Sequence, residues 1–134
     1  MNIGLTRKQF RRLLDMAYIG NWVLNAMRGD DRLTDYDKVE SLLFSQCRVN
    51  GMETLCETDQ GECVPSRAFV EGGIHEAIMD YEDTVFFEIL AEELARRDLE
   101  QEDADGDVER LNERISAYIA EFERNGTDNI SLEL

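Results

Sequence analysis

VERLNERISAYIAEFERN, residues 108–125, places Val108, Leu111, Ile115, Tyr118 and Phe122 at steps of three, four, three and four. Steps of that size return an apolar side chain to one face of a helix at every turn, with Ile119 beside it. Glu, Arg and Asn take the remaining faces. Asp107 or Asp105 can cap the N-terminus of this segment, and Asn125-Gly126 is a stop signal. The spacing predicts a helix over about 107–125, and with it a chain organised by helical stripes.

The same period runs back through the sequence. Val85, Phe86, Ile89, Leu90 and Leu94 form a stripe in a helix opened by Asp83 or Thr84, with Arg96-Arg97 suited to its C-terminal dipole. Glu100 to Asp107 is an acidic connector. Pro65-Ser66 opens a further helix to about Glu82, which Gly72-Gly73 weakens and could split. Residues 51–65 lack a helical period, and Thr58-Asp59-Gln60-Gly61 is turn chemistry, so a short hairpin or ordered loop is expected there. Thr34 or Asp35 starts a helix to about Arg48, striped by Tyr36, Val39, Leu43 and Cys47 and widened by Leu42.

Thr6 can cap a first helix over 7–28. Eleven of its fifteen residues from Leu13 to Met27 are apolar. A helix apolar most of the way round is normally central, covered by neighbours or by a second subunit. Asn21 and Asn25, one turn apart, need hydrogen-bond partners if buried. Ile3 and Leu5 alternate, as do Ile130, Leu132 and Leu134, so the two ends could pair as short terminal strands. These elements predict one mainly α domain over 1–134, a compact bundle of about five helices. Phe86, Leu90, Leu94, Leu111, Ile115 and Phe122 would supply packed faces around the first.

Charge narrows the partners. Residues 1–50 carry eight Lys or Arg against six Asp or Glu, a net of +2, whereas residues 51–134 carry six Arg against twenty-four Asp or Glu, a net of −18. So acidic a surface repels phosphate, which disfavours nucleic acid and anionic membrane as partners. The Leu13–Met27 run is too short and too polar to span a bilayer. No small-residue cleavage site follows it, so no signal peptide is expected. Cys47, Cys56 and Cys63, an odd number without a Cys-x-x-Cys pair, suit a reduced cytoplasmic protein.

Candidate chemistry is sparse. Asp103-Ala104-Asp105-Gly106-Asp107 begins like a calcium loop, but counting from Asp103 the sixth and twelfth positions hold Val108 and Arg114 rather than Gly and Glu. His75, the single histidine, lies one turn after Glu71 and near Asp80. These three are the candidate metal ligands, although one histidine cannot build a di-iron bundle site. Cys47, Cys56, Cys63 and His75 could in principle hold zinc, yet their gaps resemble no ligand knuckle. A Cys56–Cys63 cross-strand disulfide is conceivable, while Cys47 on an apolar face reads as core. No nucleophile elbow or phosphate loop occurs, so no catalytic residue and no cofactor is assigned. Arg7, Lys8, Arg11 and Arg12 form a basic cluster suited to pairing with acidic helices of the same chain or a second subunit.

Tyr18-Ile19-Gly20-Asn21-Trp22-Val23-Leu24-Asn25-Ala26 and the stretch from Asp80 to Leu99 (DYEDTVFFEILAEELARRDL) together resemble a family of small uncharacterised bacterial proteins. Those proteins carry a Tyr-Leu-Gly-Asn-Trp helix and a later helix with an aromatic pair before Leu-Ala-Arg-Asp-Leu, a pair replaced here by Phe86-Phe87. The resemblance covers about a quarter of the chain. It implies a helical bacterial cytosolic protein and, with no activity attached, transfers no site residue.

Three functions are expected from these features. The first is a non-enzymatic interaction or regulatory module that binds a protein partner through its acidic helices, with a homodimer formed through helix 7–28. The second is a small metal-binding protein or enzyme using His75, Glu71 and Asp80. The third is a DNA mimic, since helical carboxylates can imitate phosphate spacing.

Overall fold

Helix α1, Arg7–Asn25, begins where its sequence requires. The Thr6 hydroxyl accepts from the Gln9 backbone N–H at 3.1 Å, and the Gln9 side chain accepts from the Thr6 N–H at 2.9 Å. This capping box satisfies two of the N–H groups a helix start leaves free. The computed structural model describes all 134 residues. It is mainly α, 67% helical, with one two-stranded antiparallel sheet. The chain divides into two units, Met1–Ile78 and Met79–Leu134.

In the first unit, α2 spans Thr34–Ser45, and strands β1 (Cys56–Asp59) and β2 (Glu62–Pro65) form the hairpin expected within 51–65. Asp59 pairs with Glu62, leaving Gln60 and Gly61 as a two-residue turn with φ of 48° and 84°. Two positive φ values match the right-handed twist of the flanking strands, which is why Gly61 belongs there. Helix α3 is a single turn, Arg67–Phe69, capped by the Ser66 hydroxyl, which accepts from the Phe69 N–H at 3.1 Å and donates to the Thr54 carbonyl at 2.6 Å. The core combines Leu14 of α1, Phe44 and Cys47 at the end of α2, Met52, Cys56 of β1 and Phe69 of α3. Phe44 meets Phe69 edge-on at 4.9 Å, and Tyr18 meets Phe69 at 5.5 Å. Each large side chain so buried contributes about 1.5–3 kcal/mol.

The break expected between two helices near Asp83-Thr84 lies instead at Gly72-Gly73. Val70–Ile74 is a π-helical stretch in which Gly73 takes φ 114°, a conformation side chains disfavour. From His75 the chain runs as one helix, α4, to Gln101. Asp83 and Thr84 sit inside it, exposed, as cap residues do when tertiary context overrides their preference.

In the second unit, α4 and α5 (Val108–Asn125) pack through Ala91, Ala95 and Leu99 of α4 and Phe122 of α5. Phe87 lies 5.4 Å from Phe122, and Tyr118 stacks on Phe122 at 6.0 Å. Asp107 caps α5 by accepting from the Arg110 N–H at 3.1 Å. Of the expected core, Phe122 is buried and Leu90, Leu94, Leu111 and Ile115 are half-buried, but Phe86 is exposed and Phe87 takes the inner position.

One further expectation is corrected. The terminal segments form no strand, the only sheet being β1–β2. Two or three alternating residues are too few to hold a ladder. Within the single chain helix α1 buries Leu14, Asn21 and Asn25 and leaves Met16 and Val23 in water.

Candidate functional site

His75 stands in the first unit against aromatic rings. Its Nδ1 is 3.2 Å from the Tyr18 hydroxyl, and its ring meets Trp22 edge-on at 5.8 Å. Burial, and then the Glu40 carboxylate, push the Tyr18 phenol up, so it stays protonated at neutral pH. Glu71 turns instead to Arg67, whose Nε donates to it at 2.7 Å, and Asp80 is exposed in the second unit. Nowhere in the chain are three or more His, Cys, Asp or Glu side chains placed to share a metal ion. Cys47 and Cys56 are buried and Cys63 is half-buried, and all three are free thiols. Burial first, and then Cys56, push the Cys47 thiol up to about 11, so it rests as a neutral thiol at neutral pH. In the hairpin Cys56 faces Pro65 and Cys63 faces Thr58, so the conceivable cross-strand disulfide is not formed.

A polar network joins α1 to α2. The Asn25 amide donates to Asn21 Oδ1 at 2.7 Å and to the Leu33 carbonyl at 3.2 Å, and accepts from the Leu33 N–H at 2.8 Å. Asn21 donates to Asp37 at 3.0 Å, and Arg32 grips the same carboxylate with two bonds of 2.7 Å. Those Arg32 bonds, joined by that of Asn21, hold Asp37 below the usual carboxylate range. One turn further, Glu40 behaves oppositely. Burial raises its carboxyl to about 7, Asn21 and Arg32 oppose the rise and Asp37 adds to it. No buried side-chain polar atom lacks a partner, so this network locks the α1–α2 turn rather than offering open ligands.

The consequence for α2 is an inversion. Asp37, Glu40 and Phe44 face inward or sit half-buried, while Tyr36 (48% exposed), Val39 (55%) and Leu42 (65%) point outward. The expected stripe of Tyr36, Val39, Leu43 and Cys47 thus mixes the two faces. On α1, Met16 (70%) and Val23 (50%) are exposed on the same stripe as Gly20, and Met27 (82%) is exposed just past its end. The two helices share a shallow hollow lined by Met16, Gly20, Leu24, Tyr36 and Val39. Met16 also borders a separate groove of about 940 Å³ lined by Leu5, Phe10, Leu13, Leu42 and Leu43 together with Lys8 and Arg12. Contiguous exposed apolar surface of this kind marks interaction sites.

The basic cluster divides. Arg7 donates to the Gly51 carbonyl at 2.9 Å, Arg11 and Arg12 both pair with Asp15, and Arg11 also lies 4.7 Å over the Phe69 ring. Lys8 holds no ion pair.

The second unit has a different surface. Eighteen Asp or Glu stand against five Arg, a net of −13. Arg97, Arg110 and Arg114 are engaged within the α4–α5 pair. Asp98 accepts from Tyr118 at 2.5 Å, from Arg114 at 2.9 Å and from Arg97 at 2.7 Å, and Glu102 accepts from Arg114 at 2.8 Å and Arg110 at 2.5 Å. Against desolvation, those three donors hold the Asp98 carboxyl down at about 2. Elsewhere a cleft of about 590 Å³ opens between the helices, with Phe87, Phe122 and Ile119 at its floor and Asp83, Glu88 and Glu123 around it. The rim carboxylates are exposed and take part in no ion pair.

Comparison with protein-family models, curated proteins and solved structures finds no match. No helix is long and apolar enough to cross a membrane.

Proposed function

We propose that this chain is a non-enzymatic protein-interaction or regulatory module that presents its acidic α4–α5 pair to a partner with a basic surface, and that it works as a homodimer through residues 7–28. The observation that carries this reading is the −13 charge of the second unit, set around a cleft with an aromatic floor. Free carboxylates beside Phe87 and Phe122 suit an arginine or lysine whose stem lies on the rings while its head meets Glu88 or Glu123. Such a field steers a basic partner and raises its association rate more than its affinity. The same field disfavours nucleic acid and anionic membrane as direct partners.

The test is affinity capture from a bacterial lysate with the full chain and with a Glu88→Lys/Glu123→Lys variant. A true partner is retained at low salt by the wild type, is weakened in the variant, and is released near 1 M salt, where the Debye length falls to about 3 Å. Retention that ignores both salt and the charge reversal refutes the proposal.

A further inference from the structure

We infer that Cys47 and Cys56 form a thiol-oxidation site, at which hydrogen peroxide joins the two into an intramolecular disulfide that staples the segment between them.

The backbone brings the pair together. Just past α2 the chain makes a 3-10 turn over Arg48–Asn50, reverses at Gly51 with φ of 68°, and makes a second 3-10 turn over Glu53–Leu55 before β1. The Cys47 carbonyl accepts from the Met52 N–H at 2.9 Å, and the Met52 carbonyl accepts from the Leu55 N–H at 2.9 Å. This fold-back returns Cys56 to the core that Cys47 has just entered, beside Leu14, Phe44 and Phe69. There the thiols meet. Cys56 is near enough to hydrogen-bond Cys47, and after burial it is the strongest influence on the Cys47 proton. Cys63 packs on the same cluster from outside and acts on Cys47 more weakly, without such a bond.

Hairpin register excludes the other pairing on the sheet. Cys56 stands opposite Pro65 and Cys63 opposite Thr58, so Cys56 and Cys63 are diagonal neighbours on one face. Diagonal neighbours stand about 7–8 Å apart, whereas a disulfide needs Cβ atoms within about 4.5 Å. Cys47 lies outside the ladder and is free of that constraint.

Exposure sets the order of events. Cys47 is 0% exposed and Cys56 is 9% exposed, so Cys56 is the member of the pair that a small oxidant reaches. Its sulfur takes one peroxide oxygen as the O–O bond breaks, giving a sulfenic acid and one water. The Cys47 sulfur then attacks the Cys56 sulfur. An S–S bond forms, the S–O bond breaks, and the hydroxyl leaves with the Cys47 proton as a second water. Two thiols are oxidised by two electrons and one peroxide is reduced to two waters. A thiol that stays neutral is a poor first reactant with peroxide, which suits Cys47 to the second step. The bridge closes a ten-residue loop containing Gly51, whose carbonyl receives the Arg7 guanidinium at 2.9 Å, so oxidation fixes the loop that holds the start of α1.

The experiment treats the reduced full chain with hydrogen peroxide, alkylates it under denaturing conditions, and digests it with trypsin and a glutamate-specific protease. Arg48 separates Cys47 from Cys56, and Glu57 and Glu62 separate Cys56 from Cys63, so peptide masses identify the bridge. The expected product carries a Cys47–Cys56 bridge within one chain, keeps Cys63 alkylated, and reverts with dithiothreitol. Its Tm should lie about 5–10 °C above that of the reduced chain. Cys63→Ser should leave the bridge in place, and Cys47→Ala should halt Cys56 at the sulfenic acid, which dimedone captures. The wild-type map decides alone if Cys47→Ala fails to fold. A bridge to Cys63, a bridge between two chains, a Cys56 oxidised without any bridge, or three thiols that all remain alkylated overturns the inference.

Discussion

Replacing Glu40 by Gln removes the carboxyl of the α1–α2 seam that titrates near neutrality. In the folded chain this group moves from an ordinary 4.5 to about 7, chiefly because it is desolvated. The folded state therefore binds the proton more tightly than the unfolded state. Its contribution to stability is present in full below about 4.5 and is lost as the pH rises through 7. The shift would correspond to about 3 kcal/mol if the group were sealed off. Glu40 retains contact with water, and screening reduces the expected effect to about 1–2 kcal/mol. Glu40→Gln should therefore be more stable than wild type by about 1–2 kcal/mol at pH 8 and nearly equal to it at pH 5. Urea unfolding followed by circular dichroism at both pH values measures the difference. Subtracting the two proteins cancels the general repulsion of a chain with net charge −16. A variant no more stable than wild type at pH 8, or a gain of equal size at both pH values, refutes the reasoning.

Asp98→Asn should cost about 1–3 kcal/mol at pH 7 through the weakened Tyr118, Arg97 and Arg114 bonds, and acid titration should show the wild-type advantage fading as the pH falls from about 4 towards 2. Asn25→Ala leaves the Leu33 N–H and carbonyl without their partner and should cost about 2 kcal/mol in urea unfolding. Gly73→Ala, at φ 114°, should destabilise by about 1 kcal/mol or more, whereas Gly72→Ala, which lacks that constraint, should be neutral or stabilising; thermal melts of the pair separate them.

Much of the fold was legible because its signals are local. Thr6, Ser66 and Asp107 announce their helices through short side-chain bonds that no distant element needs to complete. The hairpin declared itself through Gln60-Gly61. Asn21 and Asn25 signalled that they would need partners and found them in each other, Asp37 and Leu33. What stayed hidden depends on neighbours. The period of α2 shows that apolar residues share a face, but not that Asp37 and Glu40 take the inside through Arg32 and Asn21. Thr84 looks like a helix start until the continuous backbone from His75 to Gln101 is seen. The candidate ligands Glu71, His75 and Asp80 are close in sequence, yet Glu71 turns to Arg67 and His75 to Tyr18 and Trp22. Spacing along a helix does not settle which side chain an arginine or an aromatic ring will claim first.

The outward apolar residues of α1 and α2 have a colloidal consequence. They belong to the less charged portion of the chain, and the acidic hairpin from Met79 onward supplies most of the charge that keeps molecules dispersed. Cutting the polypeptide after Ile78 would discard thirteen units of net negative charge while sparing every sticky side chain of that face. The shortened product should precipitate at concentrations where the intact protein stays clear, and turbidity would report it.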